Sequence, residues 1–436
     1  MSRDLSIRGT TIPGLLLLTL PVHGDSRGWF KENWQRQKMV ALGLPDFHPV
    51  QNNVSFNENA GATRGIHAEP WDKYVSIATG RIFGAWVDLR EGESFGSVFT
   101  AELDPSSAVY VPRGVANAFQ TLVDNTAYSY LVNDHWNPET RYTFLNLADE
   151  TVAIEWPIPL ANAEVSDKDL AHPRLAAVTP MSAKKTLILG ANGQLGRALA
   201  AALPEAVTWT RDDFDITDRS AYAEVNWRDF DTIINAAAYT AVDVAETPQG
   251  RRDAWNINAH AAAYLAQTAI ENDLTLVHVS TDYVFDGEEE IHRTDETFAP
   301  LGVYGQSKAA GDLAASVAPK HYIARTSWVI GDGNNFIKTM QSLAEKGIDP
   351  SVVDDQVGLL TYTSDLADGI VSLLKPGNHY GTYNITSGGS PRSWYEIARE
   401  ALSNAGHDPN RVSPISTDEY GVDKSLAPRP GFSTLQ

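Results

Sequence analysis

The chain has 436 residues, 43% apolar and 20% charged, with 11 Trp and 16 Tyr; this is too apolar for disorder and too long for one ordinary core, so two domains are expected. The formal charge is −21, from 34 basic and 55 acidic side chains, and a globally acidic surface repels nucleic-acid phosphate, which excludes nucleic acid as a partner. The chain contains no cysteine, so disulfides, thiolate metal sites and a cysteine nucleophile are excluded and a cytoplasmic setting is expected.

The single pure aliphatic run, Leu15 to Leu18, is too short to span a membrane and lacks signal-peptide flanks. From residue 1 to about 160 the pattern is of short β-rich runs broken by Gly, Pro, Asn and Asp. Lys73-Tyr-Val-Ser-Ile-Ala-Thr leads to Gly80 and then to Arg81-Ile-Phe-Gly-Ala-Trp-Val-Asp-Leu, and Ala108-Val-Tyr-Val is followed by Pro-Arg-Gly. Many short strands with turn signals between them predict a sandwich or barrel, with one helix over Glu32 to Ala41. Candidate chemistry in this half is sparse. Arg64-Gly-Ile-His67 precedes the strand that begins at Lys73, and Gln51-Asn-Asn53 precedes both. Taken singly, His67 reads as a structural histidine. The trio His67, Glu69 and His135 matches no strong metal-ligand spacing, so no metal is expected.

The ordered set Gly24-Asp-Ser-Arg-Gly-Trp-Phe-Lys-Glu32, Gln51-Asn-Asn53, Arg64-Gly-Ile-His67, Lys73, Val87-Asp-Leu-Arg90, Val111-Pro-Arg-Gly114 and Ser166-Asp-Lys-Asp169 resembles the dTDP-4-dehydrorhamnose 3,5-epimerase family. The resemblance covers about residues 10–170 and implies an all-β cupin-type jelly roll that forms a homodimer through the barrel. In that family's chemistry the C4 ketone acidifies the protons at C3 and C5, a histidine base removes them, and a cation stabilises the enolate. The resemblance implies His67 as base, Asp169 as its orienting partner and Lys73 at the enolate oxygen, with Arg27, Glu32, Gln51, Asn53 and Arg64 binding substrate and the two arginines on its diphosphate. Two positions depart from the family. Its second-face tyrosine aligns with His135, which can donate a proton, and a histidine in its Gly-Phe-Ala-His-Gly-Phe stretch is replaced by Asn117. Epimerisation at both carbons, at one only, and a binding-only scaffold are the readings these departures leave open.

The boundary is expected at an Ala/Pro-containing linker, residues 176–184, between domains 1–175 and 185–436. Beyond it the rhythm changes: strand Thr186-Leu-Ile-Leu, a glycine loop, the Ala/Leu-rich helix Arg197 to Leu203, then strands at Thr232-Ile-Ile-Asn and Leu276-Val-His-Val with helical stretches between. Strands alternating with helices predict a doubly wound parallel sheet. Gly190-Ala-Asn-Gly-Gln-Leu-Gly196 follows a strand and opens a helix, the context in which glycines let a helix N-terminus face a pyrophosphate. Tyr304 and Lys308 share a face if their segment is helical, and an ammonium beside a phenol favours the phenolate. Ser280-Thr-Asp-Tyr-Val-Phe-Asp286 puts a hydroxyl at a strand's end, the sheet edge where ligands bind.

These three elements in this order, with Asn235-Ala-Ala-Ala-Tyr-Thr-Ala-Val-Asp243, Arg325-Thr-Ser-Trp328, Asp355-Gln-Val-Gly358 and Arg429-Pro430, resemble the extended short-chain dehydrogenase/reductases and, among them, the dTDP-4-dehydrorhamnose reductase family. The resemblance covers residues 184–433 and implies a Rossmann-like α/β fold. It implies Tyr304 as proton donor to a C4 ketone, Lys308 as its partner and ribose contact, Thr281 on the same carbonyl, and Trp328 at the sugar. Cofactor contacts are implied at Gly190, Asn192, Gly193, Gln194, Leu195, Gly196, Asp215, Ile216, Ala236, Ala237, Ala238, Tyr304 and Lys308. The segment Val207-Thr-Trp-Thr-Arg211 lacks an acidic ribose partner, and Arg211 is placed to meet a 2′-phosphate, which favours NADPH over NADH; an uninvolved surface arginine is the competing reading. Leu360 stands where the family has proline, and the chain is expected to lack the family's final helix after Gln436. Taken together, the expectation is a bifunctional enzyme that epimerises dTDP-4-dehydro-6-deoxy-D-glucose and reduces the product. A related 6-deoxyhexose and a dinucleotide-binding regulatory protein are the rivals.

Overall fold

The computed structural model describes residues 4–136, 140, 142–375, 377–422 and 424–436. The chain divides into two compact units, Met1–Ala183 and Lys184–Gln436.

The first unit is built on two six-stranded, mainly antiparallel sheets. In one the strands run in the order Ser6–Gly9, Leu16–Thr19, Ser107–Val111, Lys73–Thr79, Thr126–Val132, Gln51–Asn57. In the other the order is Thr143–Phe144, Ala62–Ala68, Val115–Thr121, Ile82–Asp88, Val98–Leu103, and the short strand Glu164–Val165 adds parallel to Ala62–Ala68. Alternate residues of facing strands meet between the sheets: Val75, Ile77, Val109 and Tyr128 from the first pack on Ile82, Trp86, Val115 and Phe119 from the second. This is the period-two burial of a two-sheet sandwich. Only Arg36–Ala41 is helical in the stretch expected as helix from Glu32, because Gln35 takes extended backbone and caps the Lys38 N–H with its side chain. The expected linker is also different. Met181 pairs with Arg90, its N–H donates to the Leu89 carbonyl at 2.8 Å, and its side chain packs with the core around Leu89 and Leu175. An apolar side chain with a cavity to fill does not stay in solvent, so the segment up to Ala183 is part of the first unit.

The second unit is built on a six-stranded parallel sheet in the order Val207–Trp209, Lys185–Leu189, Phe230–Asn235, Thr275–Thr281, His321–Thr326, Gly381–Asn384. Apolar clusters lie on both faces. Leu187, Ile233 and Leu276 join Leu265 and Ala269 of the helix Ala261–Glu271 on one side. Ile188, Ile234 and Val277 join Leu199 and Ile370 on the other. Strands buried on both sides explain the near-continuous apolar runs in the sequence. The chain leaves the Lys185–Leu189 strand towards one edge of the sheet and later returns to its other side, so strand order reverses there and a crevice opens at the carboxyl ends of Leu189 and Asn235. The last residues fold back onto this unit, with Phe432–Ser433 parallel to Val357–Gly358 and Arg429 paired with Asp243 at 2.9 Å.

Candidate active sites

In the first unit a pocket of about 320 Å³ opens between the sheets, and His67, Lys73, Asn117, Tyr130 and Asp169 are among its walls. His67 sits on the Ala62–Ala68 strand. Asp169, about a hundred residues later, reaches it because Glu164–Val165 pairs beside that strand and Ser166 then caps the one-turn helix Asp167–Leu170. The His67 Nε2–H donates to Asp169 Oδ1 at 3.0 Å, which leaves the lone pair on Nδ1. Burial holds His67 below the ordinary imidazole range, opposed by the Asp169 charge, so the ring is the neutral form that a base requires. Lys73 lies 2.7 Å from Glu69 Oε2, which also accepts from Trp71 Nε1 at 2.9 Å, and its ammonium is 4.6 Å from the centre of the Tyr130 ring. A cation fixed by two such neighbours is ready to meet developing negative charge. His172 stacks on Phe144 at 4.6 Å and places Nε2 3.9 Å from Asp169, so ligand-type atoms of His67, Asp169 and His172 lie within 4.8 Å of one another.

Three of the expected site residues lie outside the wall of this pocket. His135 is exposed beyond the end of the Thr126–Val132 strand and is not part of the pocket wall. Tyr128 and Tyr130 both line the site; their strand pairs Val132 with Lys73 and Tyr130 with Val75, so Tyr130 and Lys73 point to the same side of the sheet. The alternation Tyr128-Ser-Tyr130 carried that signal. Burial pushes the Tyr130 phenol up, which keeps it protonated. Arg27 and Glu32 are likewise outside the pocket. Arg27 is at the tip of the hairpin His23–Asp25/Gly28–Phe30, paired with Asp25, and Glu32 is paired with Lys38. Arg64 lines the pocket and donates to Asn57 Oδ1. Gln51 and Asn53 lie opposite Val132 and Tyr130 and face inward beside the pocket residue Ser55. Asn117 accepts the Tyr128 hydroxyl at 3.1 Å, so the asparagine in the histidine's place ties down a second tyrosine.

In the second unit a cleft of about 230 Å³ follows the strand-order switch. It is lined by Gly190, Asn192, Gly193, Arg211, Asp215 and Ile216, with Ala236, Ala237 and Ala238 on its far side. Gly190 has φ +77°, and a Cβ there would stand 2.7 Å from the Ala237 nitrogen; a Cβ on Gly196 would stand 2.2 Å from the Gly190 carbonyl. The loop therefore closes only with glycine at both places, and it presents the start of the helix Gln194–Ala202. This cradle fits the diphosphate of a dinucleotide. Gln194, Leu195 and Gly196 are behind the cleft rather than on its wall. Gln194 donates to the Asn334 carbonyl, Leu195 packs in the core, and Gly196 spaces helix from loop. Arg211 is exposed at the rim, 3.4 Å from Asp215.

Thr281 ends its strand, and Tyr304 and Lys308 stand one turn apart on the helix Val303–Ala315 packed beside it. Thr281 is a polar neighbour of the Tyr304 hydroxyl and favours its ionised form. Buried Asn258, in a π-turn at Asn256–His260, links this helix to the cleft: its side chain donates to Ser307 Oγ at 2.9 Å and accepts the Tyr239 N–H at 2.8 Å, next to cleft residue Ile257. Sequence reasoning missed Asn258; a buried-type amide in an alanine-rich helix was its one signal. The expected influence of Lys308 on the phenol is not what the geometry delivers. The Lys308 ammonium donates to the Val279 carbonyl at 2.6 Å and is held down to about 8 by burial, while burial, and then the charge of Asp282, push Tyr304 up. Trp328, two residues past the neighbouring strand, has φ +42° and stacks on Trp394 with ring centres 3.9 Å apart. Leu360 fills the wall behind it with Ile330 and Ile397, so the leucine in the proline's place is a packing residue.

A glycine-loop cleft at a strand switch, coupled to a buried Thr and Lys and a partly buried Tyr, defines the second unit as a dinucleotide-dependent reductase type of site, and the His–Asp pair opposite a lysine and a tyrosine defines the first as a proton-abstracting one. The chain belongs to the family described as RmlD substrate binding domain, whose model matches residues 184–436; residues 9–177 match the family dTDP-4-dehydrorhamnose 3,5-epimerase, so the chain is a fusion of the two. The first half is 52% identical over 180 residues to Protein RmlC homolog of Streptococcus pyogenes serotype M6, covering 40% of this chain and 90% of that protein. The second is 38% identical over 275 residues to dTDP-4-dehydrorhamnose reductase of Aggregatibacter actinomycetemcomitans, covering 58% and 90%. The crystal structure of dTDP-4-dehydrorhamnose reductase from Bacillus anthracis in complex with NADP matches with a TM-score of 0.53 at 38% identity, over 58% of this chain and 90% of that one.

Proposed function

We propose that this chain catalyses two consecutive steps on one nucleotide sugar: C3/C5 epimerisation of dTDP-4-dehydro-6-deoxy-D-glucose in the first unit, and reduction of the C4 ketone with NADPH in the second, giving dTDP-L-rhamnose. The observation that carries it is the presence in one chain of both constellations, His67–Asp169 facing Lys73 and Tyr130, and Thr281–Tyr304–Lys308 beside the glycine-loop cleft. In the first unit His67 Nδ1 takes the proton next to the ketone, Lys73 balances the enolate charge, and Tyr130 returns a proton to the opposite face. This gives inversion because base and acid are different groups. Arg64 holds the diphosphate, with Gln51 and Asn53 beside it.

In the second unit bound NADPH supplies a hydride. Tyr304 delivers the proton to the C4 oxygen, and a phenol kept protonated by burial suits a donor. Lys308 holds the cofactor ribose, and Trp328 backs the sugar. Arg211 on the 2′-phosphate favours NADPH over NADH. We read the two folds as a cupin-type jelly roll and a Rossmann-like sheet, and the enzyme as cytoplasmic. We read the assembly as a homodimer through the barrel. The edge strand Gln51–Asn57 presents exposed Val54 and Phe56, and the hairpin His23–Asp25/Gly28–Phe30 presents Trp29 and Phe30. An unpaired apolar edge of this kind seeks a second copy.

The test is NADPH oxidation by the whole chain given the 4-keto-6-deoxy nucleotide sugar. Turnover is expected from the wild type. Tyr304→Phe is expected to lose about 10²-fold or more while still binding NADPH. No turnover by the wild type, with separate epimerase added, overturns the reductase assignment.

A further inference from the structure

Asp282 follows Thr281 directly and is absent from the roles assigned above, yet it is one of the most enclosed carboxyls in the chain, 2% exposed. The hydroxyl of Thr281 donates to Asp282 Oδ1 at 2.9 Å, and the same Thr281 oxygen accepts the Tyr283 N–H at 3.2 Å. Tyr304 is its third neighbour. A threonine hydroxyl has one proton. An ionised carboxylate only accepts and takes a charge-assisted bond in preference to a neutral partner, so while Asp282 is charged the proton of Thr281 is committed to it and is not available to a ketone oxygen. A neutral carboxyl reverses the bond. Its O–H donates to Thr281, whose own proton then turns to the substrate.

We propose that Asp282 is a positioning residue of the reductase site that acts through Thr281: in its neutral form it releases the Thr281 proton to hydrogen-bond the C4 oxygen of the nucleotide sugar. The surroundings extend the range of the neutral form upward in pH. Burial pushes the Asp282 carboxyl up to about 6, against the hydroxyls of Ser433 and Thr281 and the charge of His292. The groups that face it are Tyr304 from the Val303–Ala315 helix, with Lys308 one turn further on. Tyr283 flanks it in sequence, with Arg429 behind, and His292 comes from the following loop, bound to Glu296 at 2.8 Å. The charge argument agrees with the hydrogen-bond argument, since an ionised Asp282 raises Tyr304 further and makes it a poorer proton donor.

The inference rests on the reductase reading. The experiment measures kcat of the full chain for NADPH oxidation from pH 5 to 9, with saturating NADPH, ketone and added epimerase. Wild-type kcat is expected to fall tenfold per pH unit above a limb set by Asp282. Asp282→Asn, whose amide donates to Thr281 as the neutral acid does, is expected to keep the low-pH wild-type rate within about threefold and to lose that limb. Thr281→Val is expected to be slow at every pH, and the Thr281→Val/Asp282→Asn double variant no different from Thr281→Val alone. NADPH binding and thermal midpoint report folding of each variant. An Asp282→Asn profile that keeps the wild-type limb, or additive losses in the double variant, overturns the proposal while leaving the reductase reading standing. Absence of wild-type turnover overturns both.

Discussion

Replacing Asp169 with Asn tests the barrel chemistry most directly. The carboxylate accepts the His67 Nε2–H at 3.0 Å, is itself held by the Ser166-capped turn, and is one-tenth exposed against one-third for His67. It does two things: it fixes the tautomer with the lone pair on Nδ1, and its charge opposes the burial that depresses His67. A hydrogen bond to a charged group contributes about 1.5–3 kcal/mol. With partial solvent access the lower part of that range applies, and at 1.36 kcal/mol per tenfold the loss is about 10- to 40-fold. The assay is deuterium incorporation at C3 and C5 in D₂O, followed by NMR, with the full chain and no NADPH so that reduction is silent. Exchange requires neutral His67 and therefore falls on the acid side. Without the Asp169 charge His67 is depressed further, so the acid limb moves to lower pH while the plateau drops. An Asp169→Asn enzyme with exchange within twofold of wild type and an unmoved limb would refute the orienting role.

Tyr130→Phe is expected to slow epimerisation by about 10²-fold or more while His135→Ala leaves it within twofold; the opposite pattern in the same exchange assay would restore His135 as the acid. Arg211→Ala is expected to raise the KM for NADPH about tenfold, the loss of one exposed charge-assisted contact, with the KM for NADH unchanged; equal effects on both cofactors would remove Arg211 from the 2′-phosphate. Gly196→Ala forces a Cβ onto the Gly190 carbonyl, and at about 1–3 kcal/mol for such overpacking NADPH affinity measured by fluorescence is expected to drop at least fivefold. Asp282 is raised from 3.8 to about 6 in the folded chain, so its contribution to stability is full below 3.8 and is lost as pH rises through 6. Asp282→Asn is accordingly expected to stabilise the second unit by about 3 kcal/mol at pH 8 and by little at pH 4, read from denaturant midpoints.

Features that depend on near neighbours in the chain were legible from residues alone. The loop Gly190–Gly196 is readable because strand, turn and helix follow one another within a few residues, and Tyr304 and Lys308 because i and i+4 share a helix face. The change from short broken strands to alternating strands and helices marked two units. Asp169 came into view only through family resemblance, since nothing local joins it to His67. Tertiary structure decided the rest. Parallel pairing of Glu164–Val165 beside Ala62–Ala68 brings Asp169 to His67, and the register Val132 to Lys73 turns Tyr130, not His135, into the pocket. Packing of the Val303–Ala315 helix gives Lys308 to the Val279 carbonyl and surrounds Tyr304 with Thr281 and Asp282. The physical reason is common to all of these. Helix and turn geometry is set by covalent neighbours, whereas sheet register and side-chain burial are set by segments up to a hundred residues away, and it is burial that decides which groups are charged.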